Sequence, residues 1–279
     1  MCSVLGVSKT GYYRWKARMK NSNLEKQSFK EEICRKISKS YQESFCTYGS
    51  PRVYQDLIDW GYSISLKTVA RYMKEMGLRA IPSEKFVVTT DSNHKQHIYP
   101  NLLDRRFNVK EPNRVWVSDI TYIWTMEGWL YLASIMDLYS RKIIGWSLDS
   151  HMRKELPLQA LENALNSRSV SNELIHHSDR GAQYCSNEYV SRLQNHEIQI
   201  SMSRKGDPYD NACIESFHAT IKKELIYRTK FLSRAQARIA ISNYIISFYN
   251  ERRRHSTIGY CSPNQYERMR GLLIAQKIS

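Results

Sequence analysis

The run Val115-Trp116-Val117-Ser118-Asp119-Ile120-Thr121-Tyr122-Ile123-Trp124 is β-branched or aromatic almost throughout, with one acid near its centre. Such a run favours a pleated, half-buried strand, and a carboxylate there is costly unless something cationic binds it. Met126-Glu127-Gly128 makes a hairpin turn into a second strand, Trp129 to Asp137, and Arg141 to Leu148 reads as a third. A helix from about Leu156 to Ser167 follows, with Leu158, Leu161 and Leu165 on one face. Leu174-Ile175-His176-His177 is a short fourth strand, and the loop Ser178-Asp179-Arg180-Gly181 lies at its end, where sheet-based sites commonly place functional groups. After another helix, Ile198 to Met202 reads as a fifth strand.

Asp207-Pro208-Tyr209-Asp210-Asn211 is turn chemistry that opens a further helix, whose buried face is Ile214, Phe217, Ile221 and Leu225. Glu215 and Lys222, two turns apart, line an adjacent stripe with His218 between them. Asp119, Asp179 and Glu215 thus sit on a strand, just past a strand and on a helix, with 35 residues between the last two. That is the layout of a two-metal phosphoryl-transfer site. Two divalent ions about 3.5–4 Å apart activate the attacking oxygen and neutralise the leaving one, so the protein need supply only carboxylates on rigid supports. Oxygen ligands of this kind suit magnesium.

The segments WVSDITYI, HHSDRGAQY, SRKGDPYDNACIESFHATIKKEL and YNERRRHSTIGYCSPNQYE resemble those of transposases from insertion sequences with two overlapping reading frames. The likeness is to the downstream, catalytic (OrfB-type) product, and it runs from about Lys30 to Arg268. Several ordered, separately spaced motifs make it far more specific than one pattern. The resemblance implies a ribonuclease H-like, retroviral-integrase core: an α/β fold with a mixed five-stranded sheet flanked by helices, preceded by an all-α helix-turn-helix module. It implies an Asp-Asp-Glu site at Asp119, Asp179 and Glu215 holding two Mg2+ ions, with Mn2+ as a substitute, and a basic residue seven positions later, present as Lys222. It also implies double-stranded DNA as partner, both element ends and target, a homo-oligomer on that DNA, and an upstream-frame product that joins as fusion or partner and supplies a dimerising coiled coil. Transposition in the family follows a replicative copy-out path through a circular intermediate.

Charge agrees with a polyanionic partner. The chain carries +15 overall, with 20 basic against 10 acidic residues over 1–110, 14 against 15 over 111–230 and 8 against 2 over 231–279. DNA would meet two basic flanks around a near-neutral, metal-binding middle. Within the first flank, Ile33, Ile37 and Tyr41 mark one amphipathic helix. Pro51 opens a second with Val53, Leu57 and Ile58, ended by Gly61. Ser65 caps a third with Val69, Tyr72, Met73 and Met76 inside, closed by Gly77. Its outer face presents Lys67, Arg71 and Lys74; on the helices alone an ordinary bundle with a solvated charged face is the better reading, and the family resemblance turns it to a recognition helix.

The division expected is a partial helical segment at 1–22, a helix-turn-helix-like DNA-binding module at 30–80, a linker at 81–111, the catalytic core at 112–230 and a basic helical extension at 231–279. In that extension a helix from about Ser233 to Asn250 leads into Arg252-Arg253-Arg254, expected to be solvated and to contact phosphate. His176 and His177 lack a matching carboxylate-histidine set, so strand-edge packing or DNA contact is expected rather than zinc ligation. Glu215 and His218 form a Glu-x-x-His pair without the further acidic helices of a di-iron bundle. The six cysteines show no metal-ligand spacing, and no apolar stretch approaches the ~18–20 residues that span a bilayer. A bacterial cytoplasmic, nucleoid-associated protein is expected. Two other classes fit the same residues: a hydrolytic nuclease on this core, which would cut without joining, and a non-catalytic DNA-binding protein or repressor.

Overall fold

The computed structural model describes residues 6–80, 96–170 and 172–278, side chains at 20–23, 208 and 272–278 aside. The chain divides into two compact units, Met1–Pro82 and Ser83–Ser279.

The first unit is helical. α1 (Lys9–Glu43) starts where the Ser8 hydroxyl accepts from the Gly11 amide at 2.9 Å. The break expected between 22 and 30 is not there. No glycine or proline lies between Gly11 and Gly49, so nothing stops the helix, and from Lys9 onward the chain runs directly into the module at 30–80. α2 (Ser50–Asp59) has Pro51 in its first turn, and α3 (Leu66–Glu75) is capped by Ser65, whose hydroxyl accepts from the Thr68 amide at 3.2 Å. Gly61 and Gly77 take positive φ just past the two helix ends, the left-handed conformation that favours glycine there. Ile33, Ile37, Val53, Leu57, Val69 and Met73 form the core, whereas Ile58 is exposed. Lys67, Arg71 and Lys74 all lie outside.

The second unit is built on a five-stranded mixed sheet: β1 (Val115–Thr125), β2 (Gly128–Asp137), β3 (Lys142–Asp149), β4 (Ile175–Ser178) and β5 (Gln199–Met202), in the order β3-β2-β1-β4-β5. The first three strands are antiparallel, and β4 and β5 run parallel to β1. Every strand lies within two residues of its sequence-based bounds. α4 (Glu155–Ser167) and α5 (Asn187–Asn195) join Trp116, Ala133, Ile135, Ile144 and Tyr189 in one hydrophobic cluster. α4 lies so near β3 that a Cβ on Gly145 would stand 2.3 Å from the Ala160 carbonyl oxygen. α6 (Ala212–Glu224) contributes Ile214, Phe217 and Ile221 to the interior. The single helix expected at 233–250 is α7 (Arg234–Asn243) followed by a π-helical stretch, Tyr244–Asn250. Its last residue, Asn250, bonds both the amide and carbonyl of Ile143, at 3.0 and 2.8 Å, covering backbone at the edge of the sheet. α8 (Pro263–Ile278) closes the chain, and Glu267 on it pairs with Arg168 and Lys142. Among the described residues no helix is long and apolar enough to cross a membrane.

The linker expected at 81–111 is only partly open to description, since 81–95 lies outside the described residues. From Pro100 onward the chain is strapped to the sheet. Leu103 is buried, the amides of Leu102 and Leu103 donate to the Ser201 hydroxyl at 2.8 and 3.3 Å, and Asn101 and Arg105 donate to buried Asp210, each at 2.9 Å. The sequence shows this stretch as unpatterned because one leucine and a set of polar contacts, not a periodic apolar face, hold it down.

Candidate active site

Parallel register sets the first two acids side by side. Val117 of β1 pairs with His177 of β4. Asp119 stands two residues further on within β1, and Asp179 two residues further on, just past the end of β4. β4 ends at Ser178, so Asp179 begins the loop, where the Gly181 amide donates to its Oδ1 at 2.9 Å. A Cβ on Gly181 would lie only 3.0 Å from that oxygen. Asp119 stays within β1; its Oδ1 accepts from the Ile120 amide at 2.8 Å.

α6 brings the third acid. Burial and the negative charges of Asp119 and Asp179 push the Glu215 carboxyl up to about 7. One turn on, His218 is 1% exposed and lies between Asp119 and Ser134. Its Nδ1 is 3.1 Å from Asp119 Oδ2 and its Nε2 is 2.7 Å from the Ser134 hydroxyl. A carboxylate only accepts, so Nδ1 carries the proton toward Asp119, and Nε2 accepts from Ser134. Ser134 is the register partner of Asp119 across the β1–β2 hairpin. Sequence reasoning set His218 aside as half of a di-iron pair and did not reach Ser134. The signal was present: counting back from the turn at Met126 and Glu127 puts residue 134 opposite residue 119.

Lys222 is 4% exposed, and its Nζ lies 4.4 Å from the Tyr122 ring centroid. Burial lowers its pKa, with the charge of Asp119 acting against that shift. The structure therefore brings Asp119, Asp179, Glu215 and Lys222 into one electrostatic neighbourhood. Among the described residues, no three His, Cys, Asp or Glu side chains are already closed to metal-ligating geometry. The chemistry of the three fits a divalent cation nonetheless: they are hard oxygen donors, and their mutual repulsion is what such a cation relieves.

Asp210 and the two histidines of β4 are satisfied internally. Asp210, just before α6, accepts from the amide and Nε of Arg204, both at 2.9 Å, and from Nη2 at 2.7 Å, in addition to Asn101 and Arg105. Arg204 holds its carboxyl well below the usual range. His176 and His177 are interior, not at a strand edge as expected, because β5 covers β4. His176 meets the Tyr189 hydroxyl at 3.0 Å, and His177 meets Ser201 and Ser203. Burial lowers their pKa values to about 3 and about 4, so both are neutral packing groups.

The other predicted DNA contacts separate. Arg253 is 5% exposed and bonds Glu224 through Nε and Nη2 at 2.9 and 2.7 Å. This corrects the expectation of a solvated run: Arg253 neutralises a buried acid and has no surface to offer a phosphate. Arg252 is exposed, and Arg254, half-buried, donates to the Tyr260 carbonyl at 3.0 Å. Lys67 and Lys74 are exposed on α3, and Arg71 lies 3.8 Å from Glu75.

Comparison with known proteins accords with this geometry. Two family models described as "Integrase core domain" match residues 109–208 and 196–263, and one described as "HTH-like domain" matches 28–86. Transposase InsF for insertion sequence IS3A of Escherichia coli (strain K12) is 42% identical over 267 residues, 96% of this chain and 92% of that protein. The insertion element IS600 uncharacterized 31 kDa protein of Shigella sonnei is 41% identical over 263 residues, 94% and 96% of the two chains. Among solved structures, the HTLV-2 integrase catalytic core domain in complex with magnesium overlays with a TM-score of 0.45 at 16% identity, covering 56% of this chain and 96% of that one. With an integrase core, a helix-turn-helix-like module and end-to-end identity of this order, the chain belongs to the InsF-type transposases of the IS3 insertion sequences, enzymes of the DDE transposase/integrase class.

Proposed function

We propose that Asp119, Asp179 and Glu215 are the catalytic acids of DNA strand cleavage and strand transfer, and that they hold two divalent cations, Mg2+ with Mn2+ as a substitute. The observation that carries this is Glu215, whose carboxyl is pushed up to about 7 by burial and by the other two acids. Asp119 on β1, Asp179 in the loop just past β4 and Glu215 on α6 would hold these ions through their carboxylate oxygens. Bound divalent ions supply Lewis acidity and positive charge at the scissile phosphodiester.

The chain's own groups orient that site. His218 donates to one oxygen of Asp119 while accepting from Ser134, which fixes the carboxylate's rotamer and leaves the remaining lone pairs for ligation. Lys222, kept dry against Tyr122, sets an ammonium beside Asp119 where the phosphate's charge develops. In the first step a water oxygen bonds to phosphorus at the element's end, the P–O3′ bond breaks, and the 3′ oxygen leaves with a proton. In the second, that 3′-hydroxyl attacks a target phosphodiester in line: a new P–O3′ bond forms and the old one breaks, its oxygen departing as a hydroxyl. One phosphodiester replaces another, so neither ATP nor a covalent enzyme intermediate is required.

Double-stranded DNA, as element ends and target, is the partner, met by Lys67, Arg71 and Lys74 on α3 and by Arg252 and Arg254 beyond the core. Joining two ends calls for a homo-oligomer, with the upstream-frame product as fusion or partner, in a bacterial cytoplasm at the nucleoid. The test is cleavage and joining of labelled duplex from the gene's own flanks by the purified chain, in magnesium or manganese, beside Glu215→Gln. Metal-dependent joined product that the variant lacks supports the reading. Cutting without joining makes it a nuclease, and binding without either, even with the upstream frame fused on, leaves a DNA-binding protein.

A further inference from the structure

At the open end of the β1–β2 hairpin, a cleft of about 280 Å³ is lined by Tyr122, Trp124, Trp129, Lys222, Lys230 and Phe231 among others. Its walls follow from pairing. Trp124 and Trp129 are register partners across the hairpin, and their rings meet edge to face, centroids 4.9 Å apart at 74°. Tyr122 and Trp129 meet likewise at 5.2 Å and 90°. In an edge-to-face pair the edge of one ring rests on part of the other's face, and much of both indoles is still open to solvent. Trp124 is 56% and Trp129 44% exposed, an unusual outlay of aromatic surface in water. β4 pairs with β1 only as far as Val117, so among the described residues no strand pairs with the later part of β1 on that side. Lys222, on the helix that carries Glu215, reaches Tyr122 there and links the acids to the cleft. Lys230 adds a second ammonium at the rim.

We infer that this cleft receives one unpaired nucleotide of the DNA strand held at the acids, its base stacked on Trp124 and Trp129 and its phosphate beside Lys222 and Lys230. This rests on the strand-transfer reading and adds how the DNA end is held. Flat aromatic faces beside ammonium groups match a nucleotide, with a π-face on every base and an anion beside it. A duplex end must fray to place a base there, and holding that base draws the terminal phosphodiester away from its complementary strand.

The experiment is equilibrium binding by fluorescence anisotropy, in EDTA so that no strand is cut. It uses the full chain with two labelled duplexes of one sequence, one blunt and one with an unpaired terminal nucleotide. The parent prefers the unpaired end by about tenfold. Trp124→Ala loses that preference while binding the blunt duplex as the parent does, and Trp124→Tyr, which keeps a ring, retains most of it. Trp124 is at the surface, so its replacement leaves the core intact. Equal affinity of the parent for both duplexes overturns the pocket while leaving strand transfer standing. A preference that survives Trp124→Ala overturns it too, as does self-association lost in Trp124→Ala with no change in DNA binding, which makes the face a contact between copies. Failure to bind either duplex overturns this inference and the DNA reading beneath it.

Discussion

Helix α6 carries two acids in opposite electrostatic situations. Near its start, Glu215 stands with Asp119 and Asp179, and like charge and burial raise its carboxyl to about 7. At its end, Glu224 is buried and meets Arg253 through two bonds and the Tyr244 hydroxyl at 2.7 Å. The first arrangement is costly in the metal-free protein and gains from an arriving cation. The second has its cation built in and so has nothing to recruit. Burial of a carboxylate is thus no sign of function by itself; what surrounds it decides whether the fold is using the charge or keeping it for a ligand.

The sharpest way to break this contrast is Glu215→Gln, expected to lower strand joining on the order of a thousandfold. The same change should stabilise the metal-free protein. The Glu215 proton is held more tightly folded than unfolded, so folded-state stability is lost as pH rises from about 4 to about 7. At pH 8, urea unfolding of the variant in EDTA should therefore show a gain of about 1–3 kcal/mol. A loss there would mean that Glu215 is satisfied internally, as Glu224 is.

Arg253→Met tests the other end. Removing one member of a buried pair strands the opposite charge, and a loss of about 3–5 kcal/mol is expected. The double change Arg253→Met with Glu224→Leu should recover most of it in thermal melts. If the single variant melts like the parent, the pair is not structural.

Third in size is the response of metal binding to acid. Glu215 must shed its proton to ligate, so calorimetric affinity for Mn2+ should fall about tenfold per unit as pH drops below about 7, and Glu215→Gln should flatten that slope. Smallest is the difference between neighbouring arginines: Arg252→Gln should reduce the salt dependence of DNA binding by about one counterion. Arg253→Met, in its folded fraction, should leave that dependence alone.

Much of this was legible in the chain. The strands were, because β-branched runs and the Gly128 turn are local signals; so were the places of Asp119 in β1, Asp179 just past β4 and Glu215 in α6, because each lies at a strand or helix feature that the sequence marks. What escaped was set by distant partners. Arg253 reads as part of a solvated run because Glu224 lies 29 residues upstream. His218 looked like half of a different metal motif because Ser134, whose hydroxyl meets its other nitrogen, is 84 residues away. The length of α1 was missed for the opposite reason: its polar middle carries no apolar period to announce a helix, yet holds no residue to end one. Residues 96–111 failed as a linker since polar contacts with Asp210 and Ser201 leave no hydrophobic pattern.

That strap also bears on how the protein can be dissected. Asn101, Leu102, Leu103 and Arg105 hold Ser201 and Asp210 from a position before the first strand. A catalytic fragment cut at Pro112, where the strands begin to show in the sequence, would leave a buried carboxylate short of two of its donors beside the helix that carries Glu215. Cut ahead of residue 96, it keeps them. The catalytic half of this transposase therefore starts, in the physical sense, no later than Asn101, 14 residues before its sheet opens at Val115.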